Sequence, residues 1–229
     1  MGRRIISAVF ILVFAVYSRG ETVFNVDVFW GWGGCYRPME WTPVDIGVNS
    51  TLSEPFAGSL IISAAQDNLN TMNIRHDFVL TPSVPLHVPL VTKLAFATEN
   101  GNVRLVDEHG RTQWQYMFRL WDFTGGGSSL TAINEQDLLI GFAGHKRFGL
   151  NQLEEKTICQ TNGGTGKVYI KDKLSRALPW DWTGYASLDL LILYDADWSE
   201  LNRIQLGAIR EWVLNGGRLL IILGSEPLS

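Results

Sequence analysis

The stretch from Leu188 to Gly224, LDLLILYDADWSELNRIQLGAIREWVLNGGRLLIILG, constrains the fold more than any other part of the chain. It reads as a buried strand over Leu188–Tyr194, an amphipathic helix, and a second buried strand over Leu219–Leu223. Leu201, Ile204, Ala208, Ile209, Trp212 and Val213 fall on one face at helical spacing. Ser199 can cap that helix, because a serine hydroxyl accepts from first-turn N–H groups. Gly216 and Gly217 can close it in the left-handed conformation that glycine tolerates. Two buried strands joined by one helix imply a parallel pair with a right-handed crossover.

Upstream, Leu138–Gly144 is a continuous apolar strand ending in glycine, which suits burial on both faces. A short helix over Arg147–Glu155 and a weaker strand over Lys167–Ile170 complete the expected set. Residues 135–229 therefore read as a partial flavodoxin-like α/β domain, incomplete at its carboxyl end. From Phe24 to Trp121 the period changes to two, in short runs such as Val44–Val48, Ser59–Ile62, Asp77–Leu80 and Val103–Val106. That pattern predicts an immunoglobulin-like antiparallel β-sandwich over residues 21–123. Its clearest hairpin runs from Val103–Asp107 to Thr112–Phe118 and puts Trp114, Tyr116 and Phe118 on one face. Residues 124–134 begin with Thr-Gly-Gly-Gly-Ser-Ser and form the expected linker. The fold class is thus two-domain, β followed by α/β.

The segments Trp180–Leu193 and Ala208–Leu220, with an aspartate before an apolar strand and then Trp-Val and Gly-Gly-Arg, resemble class I glutamine amidotransferase-like domains of secreted or membrane-anchored bacterial proteins. The resemblance covers roughly Gln136 to Ser225. Gly31–Gly34 and Trp41–Val44 likewise resemble the β-sandwich that precedes such domains in envelope proteins. The family implies a cysteine nucleophile at a sharp turn after the strand that follows Gly-Gly, with histidine and glutamate further on. Leu223, Gly224 and Ser225 stand at that turn here. Leucine cannot attack an amide, and no histidine follows Ser225 to serve as its base. No catalytic residue is assigned.

The N-terminus carries Arg3 and Arg4 ahead of an apolar run from Ile5 to Tyr17, followed by Ser18, Arg19 and Gly20. This is the layout of a secretory signal over residues 1–20, and the run is shorter than the roughly 20 residues of a membrane span. A secreted, periplasmic or cell-envelope location follows. Anchoring would use an uncleaved leader or a helix beyond Ser229. The net charge of −4 and the scattered Lys and Arg residues exclude an electrostatic footprint for nucleic acid. Cys35 and Cys159 lie in different halves, and the strict geometry of a disulfide argues against their pairing.

Asp195 and Asp197 follow a strand where α/β proteins place ligand contacts, and Ser225 and Glu226 would share that sheet edge. These four form one candidate ligand site. The cluster Phe29–Tyr36 offers a second, an aromatic surface of Trp30, Trp32 and Tyr36 suited to sugars or a partner's pocket. Packing of these rings in a core is the competing expectation. Gly163–Lys167 lacks the spacing of a phosphate loop and reads as a turn before a strand. His76, His87, His109 and His145 lack metal-ligand spacing, so neither a metal nor another cofactor is expected. The role expected is a non-enzymatic binding or scaffolding protein of the bacterial cell envelope, partnered by a protein or envelope component. A truncated or degenerate amidotransferase-like hydrolase and a carbohydrate-binding envelope protein are the alternatives.

Overall fold

A computed structural model describes residues 23–95, 100–119, 130–144, 149–154, 156–159 and 163–223. The strands are β1 (Phe24–Trp30), β2 (Cys35–Tyr36), β3 (Trp41–Ser50), β4 (Phe56–Ala65), β5 (Thr71–Leu80), β6 (Leu86–Lys93), β7 (Asn100–Asp107) and β8 (Thr112–Arg119). They continue as β9 (Thr131–Ala132), β10 (Leu138–Gly144), β11 (Thr157–Cys159), β12 (Thr165–Asp172), β13 (Leu190–Tyr194) and β14 (Leu219–Ile222). The helix α1 (Arg203–Leu214) lies between the last two strands.

The first half is a β-sandwich. One sheet has the order β1-β3-β6 and the other β5-β4-β7-β8, and every pairing in both is antiparallel. The period-two pattern accounts for this directly. Val44, Ile46 and Val48 of β3 face inward with Leu60, Ile62 and Ala64 of β4 and Val103 and Leu105 of β7, forming one core. Asp45 and Gly47 consequently point to the opposite face of their sheet.

The second half corrects the expected fold class. Its sheet has the order β11-β12-β10-β13-β14, parallel except for β11, which runs antiparallel beside β12. A flavodoxin-like domain needs helices in its successive crossovers to cover both faces of the sheet. Here β10 leads to β12 through a 3-10 turn at Leu150–Gln152 and the short β11. The link from β12 to β13 holds only the 3-10 turns Ser175–Ala177 and Trp182–Tyr185. Among the described residues α1 is the single α-helix, so the chain is mainly β and the flavodoxin-like α/β domain is not formed.

Within that sheet the closing unit is local and parallel, β13 pairing with β14 from Leu191↔Leu219 to Tyr194↔Ile222. The helix start differs from the serine-cap expectation. Asn202 caps it, its side chain accepting from Gln205 N at 2.9 Å, while Gln205 Oε1 accepts from Asn202 N at 3.0 Å. This reciprocal box satisfies two first-turn donors and is worth about 1 kcal/mol. Ser199 sits in the preceding 3-10 turn, donating to Asp197. Gly216, at φ 99°, closes the helix as expected.

The two halves interlock. Trp32 leaves the end of β1 and is fully buried in the second core, where its Nε1 donates to the Gly184 carbonyl at 3.3 Å. Its ring packs 5.8 Å from Tyr185, which lies 5.6 Å from Trp212 of α1. Arg37 Nη2 binds the Asp189 carboxylate at 2.7 Å and the Asp137 carbonyl at 3.3 Å. β2 adds a parallel pairing with β9, inside the expected linker. Both cysteines are free, Cys35 buried and Cys159 exposed. The leader and the expected boundary at 123/124 lie outside the described residues. No helix among the described residues is long and apolar enough to cross a membrane.

Candidate functional site

The loop after β12 lies at the carboxyl end of a parallel strand, the position where sheets of this kind present groups to ligands. It carries Lys173, Leu174 and Arg176 directly after Asp172, the last residue of β12, and it faces the outer surface of the β1-β3-β6 sheet. Between them is a cavity of about 710 Å³ whose lining includes Phe29, Asp45, His87, Lys173, Leu174 and Arg176. A second cavity of about 320 Å³ shares Asp45, Lys173 and Ala177 with it and adds Trp41, Val91, Pro179 and Trp180. Both volumes fall within the range of about 300–1,000 Å³ typical of small-molecule sites. The two adjoin as one groove, with Asp45 and Lys173 in the lining of both.

These residues are placed by regular structure. In β3 the alternation that buries Val44 and Ile46 turns Asp45 outward, opposite Phe29 of β1 in the ladder. Gly47 pairs with His87 of β6, and a Cβ at Gly47 would meet the imidazole only at ordinary contact distance, 3.8 Å. His87 Nδ1 lies 3.9 Å from Asp45 Oδ1. Lys173 Nζ donates to the Gly31 carbonyl at 3.3 Å and sits 5.5 Å from the centroid of the Trp32 ring. Gly31 holds φ 59°, a left-handed conformation in which a Cβ would overlap the Cys35 carbonyl.

Gln205 fixes the opposite wall. Besides its part in the helix cap, its buried side-chain nitrogen donates to the carbonyls of Ser175, Arg176 and Leu178 at 3.2, 3.0 and 2.9 Å. One helical side chain thereby holds the Ser175–Ala177 turn against the second core. Two aromatic rings in the lining are open. Phe29 is 57% exposed and Trp180 is 43% exposed, whereas Trp41 is half-buried with Lys93 Nζ 5.0 Å from its ring.

The electrostatics of the groove are unusual for a structural ion pair. Burial pushes the Asp45 carboxyl up, against the attraction of Lys173, His87 and Arg176. Burial likewise pulls Lys173 down, against the attraction of Asp45. Each group loses more through desolvation than its neighbours return. Asp45 and Lys173 feel each other across the groove, yet among the contacts of the described residues they do not close into a salt bridge.

The sequence-derived sites fare differently. Asp195 is exposed at the end of β13 with φ 47°, and its N–H donates to the Ile222 carbonyl at 2.9 Å. Asp197 is committed to capping, accepting from Ser199 N at 2.9 Å and Ser199 Oγ at 2.6 Å. Ser225 and Glu226 lie outside the described residues, as does His145. The aromatic surface is corrected outright: Trp30, Trp32 and Tyr36 are 4%, 0% and 3% exposed. Trp30 and Tyr36 fill the sandwich core and Trp32 the second core, so packing takes all three rings. Phe29, beside them, is the ring left in the open. His87, which the sequence assigned to no site, stands in the groove with Asp45. Among the described residues no cluster of three or more His, Cys, Asp or Glu side chains could hold a metal ion.

No protein-family model matches the chain, and a comparison with curated proteins finds no match. Among solved structures the chain is similar to the Pseudomonas fluorescens alkylpurine DNA glycosylase AlkC, with 10% identity and a TM-score of 0.32, over 43% of this chain and 30% of that one. It is similar to R. palustris CsgH, with 11% identity and a TM-score of 0.28, over 42% of this chain and 91% of that one. A Paenibacillus sp. cycloisomaltooligosaccharide glucanotransferase matches with 11% identity and a TM-score of 0.30, over 86% of this chain and 27% of that one. The chain thus spans a small part of the glycosylase and of the glucanotransferase. Similarities at this level assign neither family nor activity.

Proposed function

We propose that this chain is a non-enzymatic binding module of a bacterial cell envelope, with its ligand seated in the groove between the sandwich and the loop after β12. One observation carries the reading. Asp45 and Lys173, opposite in charge and both desolvated, sit where two cavities join without closing on each other. The fold gives Lys173 the Gly31 carbonyl and Asp45 the neighbouring His87, and a ligand offering a donor to Asp45 and an acceptor to Lys173 recovers more of their lost hydration. The envelope location rests on the leader layout of residues 1–20.

The test is a thermal-shift screen of the full chain against sugars, amino acids, short peptides, nucleotides and polyols, run beside Asp45→Asn and Lys173→Met. A compound that stabilises the wild type and neither variant supports the groove. Stabilisers that act equally on all three proteins place the ligand elsewhere and end the reading. Chemical conversion of a bound compound, lost in Asp45→Asn, would replace binding by catalysis.

A further inference from the structure

Three features of the groove go beyond a general binding site, and the inference drawn from them rests on the reading just given. The first is that it joins two cavities, Phe29 lining the larger and Trp180 the smaller, with Asp45 and Lys173 lining both. The second is that each cavity has an exposed aromatic ring in its lining, Phe29 at 57% exposure beside Asp45 in the larger and Trp180 at 43% in the smaller. The third is the polar centre, where a carboxylate and an ammonium are set apart, with His87 Nδ1 3.9 Å from the carboxylate.

A ligand matching all three is elongated, has flat C–H faces at intervals and carries neighbouring hydroxyls between them. We infer that the groove binds a saccharide chain, with sugar rings stacked on Phe29 and Trp180 and adjacent hydroxyls of a central ring bridging Asp45 and Lys173. A hydroxyl donates and accepts at once, so two neighbouring hydroxyls satisfy an acceptor and a donor that do not pair with each other. The C–H face of a pyranose fits an aromatic ring in the way that base faces do. Leu174 and Ala177 supply apolar wall between the polar groups, as in other small-molecule sites. A zwitterionic peptide would also satisfy Asp45 and Lys173, but it has no periodic flat face to engage the two exposed rings.

The experiment is calorimetric titration of the full chain with cellohexaose, maltohexaose, xylohexaose, chitohexaose and hexagalacturonate, each beside its disaccharide. A Gly-Phe-Gly tripeptide is the peptide arm. The expected result is that at least one hexamer binds, its disaccharide binds about tenfold more weakly or less, and Phe29→Ala and Trp180→Ala each weaken the hexamer about tenfold. That factor corresponds to about 1.4 kcal/mol, within the scale of aromatic stacking. Asp45→Asn should abolish binding. If no sugar binds but the tripeptide does, with sensitivity to Asp45→Asn, the saccharide inference fails and the groove reading stands. If neither sugars nor peptide bind, and the thermal-shift screen is also silent, both fail. A hexamer that binds equally well to Phe29→Ala, Trp180→Ala and Asp45→Asn places the sugar outside the groove and overturns the inference.

Discussion

Gln205 Nε2 donates to the Leu178 carbonyl at 2.9 Å while its Oε1 accepts from the N–H of Asn202 at 3.0 Å. One side chain therefore starts helix α1 and holds the loop that walls the groove. Gln205 is fully buried, so its amide has no water to fall back on. Removing it leaves the Ser175, Arg176 and Leu178 carbonyls short of a donor and the helix short of half its cap.

Gln205→Leu should consequently destabilise the chain by about 2–4 kcal/mol, the sum expected for a lost cap and buried unpaired carbonyls. Urea denaturation with matched slopes measures this. A change below about 0.5 kcal/mol would mean that the loop is held by other contacts.

Arg37 and Asp189 form a partly buried pair at 2.7 Å, and the same Asp189 oxygen accepts from Leu139 N at 2.8 Å. Arg37 also reaches the Asp137 carbonyl, so it ties the loop after β2 to the entrances of β10 and β13. Arg37→Met should cost about 2–4 kcal/mol, since it strands a carboxylate with partial access to water. A double-mutant cycle with Asp189→Asn should show the two losses to be non-additive. Additive losses would show that the pair does not act as one contact.

Much of this arrangement was legible in the sequence, and what was missed has a physical cause. Period-two runs located the sandwich strands, and the spacing of Ala208, Ile209 and Trp212 located the helix, because both patterns report which side of an element is buried. The extension from a strand-helix-strand unit to a flavodoxin-like domain failed because the upstream crossovers use 3-10 turns in place of helices. Ser199 lost the helix cap to Asn202, whose box partner Gln205 lies three residues on. The rings of Trp30, Trp32 and Tyr36 were ambiguous between surface and core until the second core received Trp32. The groove itself was invisible because Asp45 and His87 come from the sandwich and Lys173 and Arg176 from a loop far along the chain. The signal that selected Asp195 and Asp197, polar residues just past a strand's carboxyl end, applies equally to Lys173 directly after β12.

The two cysteines should separate cleanly by reactivity. Cys159 is exposed, whereas Cys35 is buried and its thiol is pushed up by burial, which lowers the fraction of reactive thiolate. Maleimide should label Cys159 in the native protein and Cys35 only in denaturant, as read by mass spectrometry. Rapid native labelling of Cys35 would contradict the packing of β2 against the second core.

Gly31 and Gly110 both hold positive φ, at 59° and 79°, but in different surroundings. A Cβ at Gly31 would overlap the Cys35 carbonyl, while Gly110 has open space. Gly31→Ala should cost about 2–4 kcal/mol, combining backbone strain with overlap, and should weaken ligand binding by displacing the carbonyl that receives Lys173. Gly110→Ala should cost about 1 kcal/mol from conformation alone. Equal losses would remove the special role assigned to the Gly31 turn.

The most direct test of the groove is the stability of Asp45→Asn as a function of pH. Burial raises the Asp45 carboxyl above its ordinary 3.8, so the folded chain favours the protonated form. The resulting cost is absent well below that value, grows as pH rises through the folded-state pKa, and is complete above it. Asparagine keeps the shape without the charge. If Asp45 and Lys173 are held apart for a ligand, Asp45→Asn should melt higher than wild type at neutral pH, converge with it in acid, and lose ligand binding. A variant that melts lower than wild type at neutral pH would show that the Asp45 charge serves the fold, and would contradict the site.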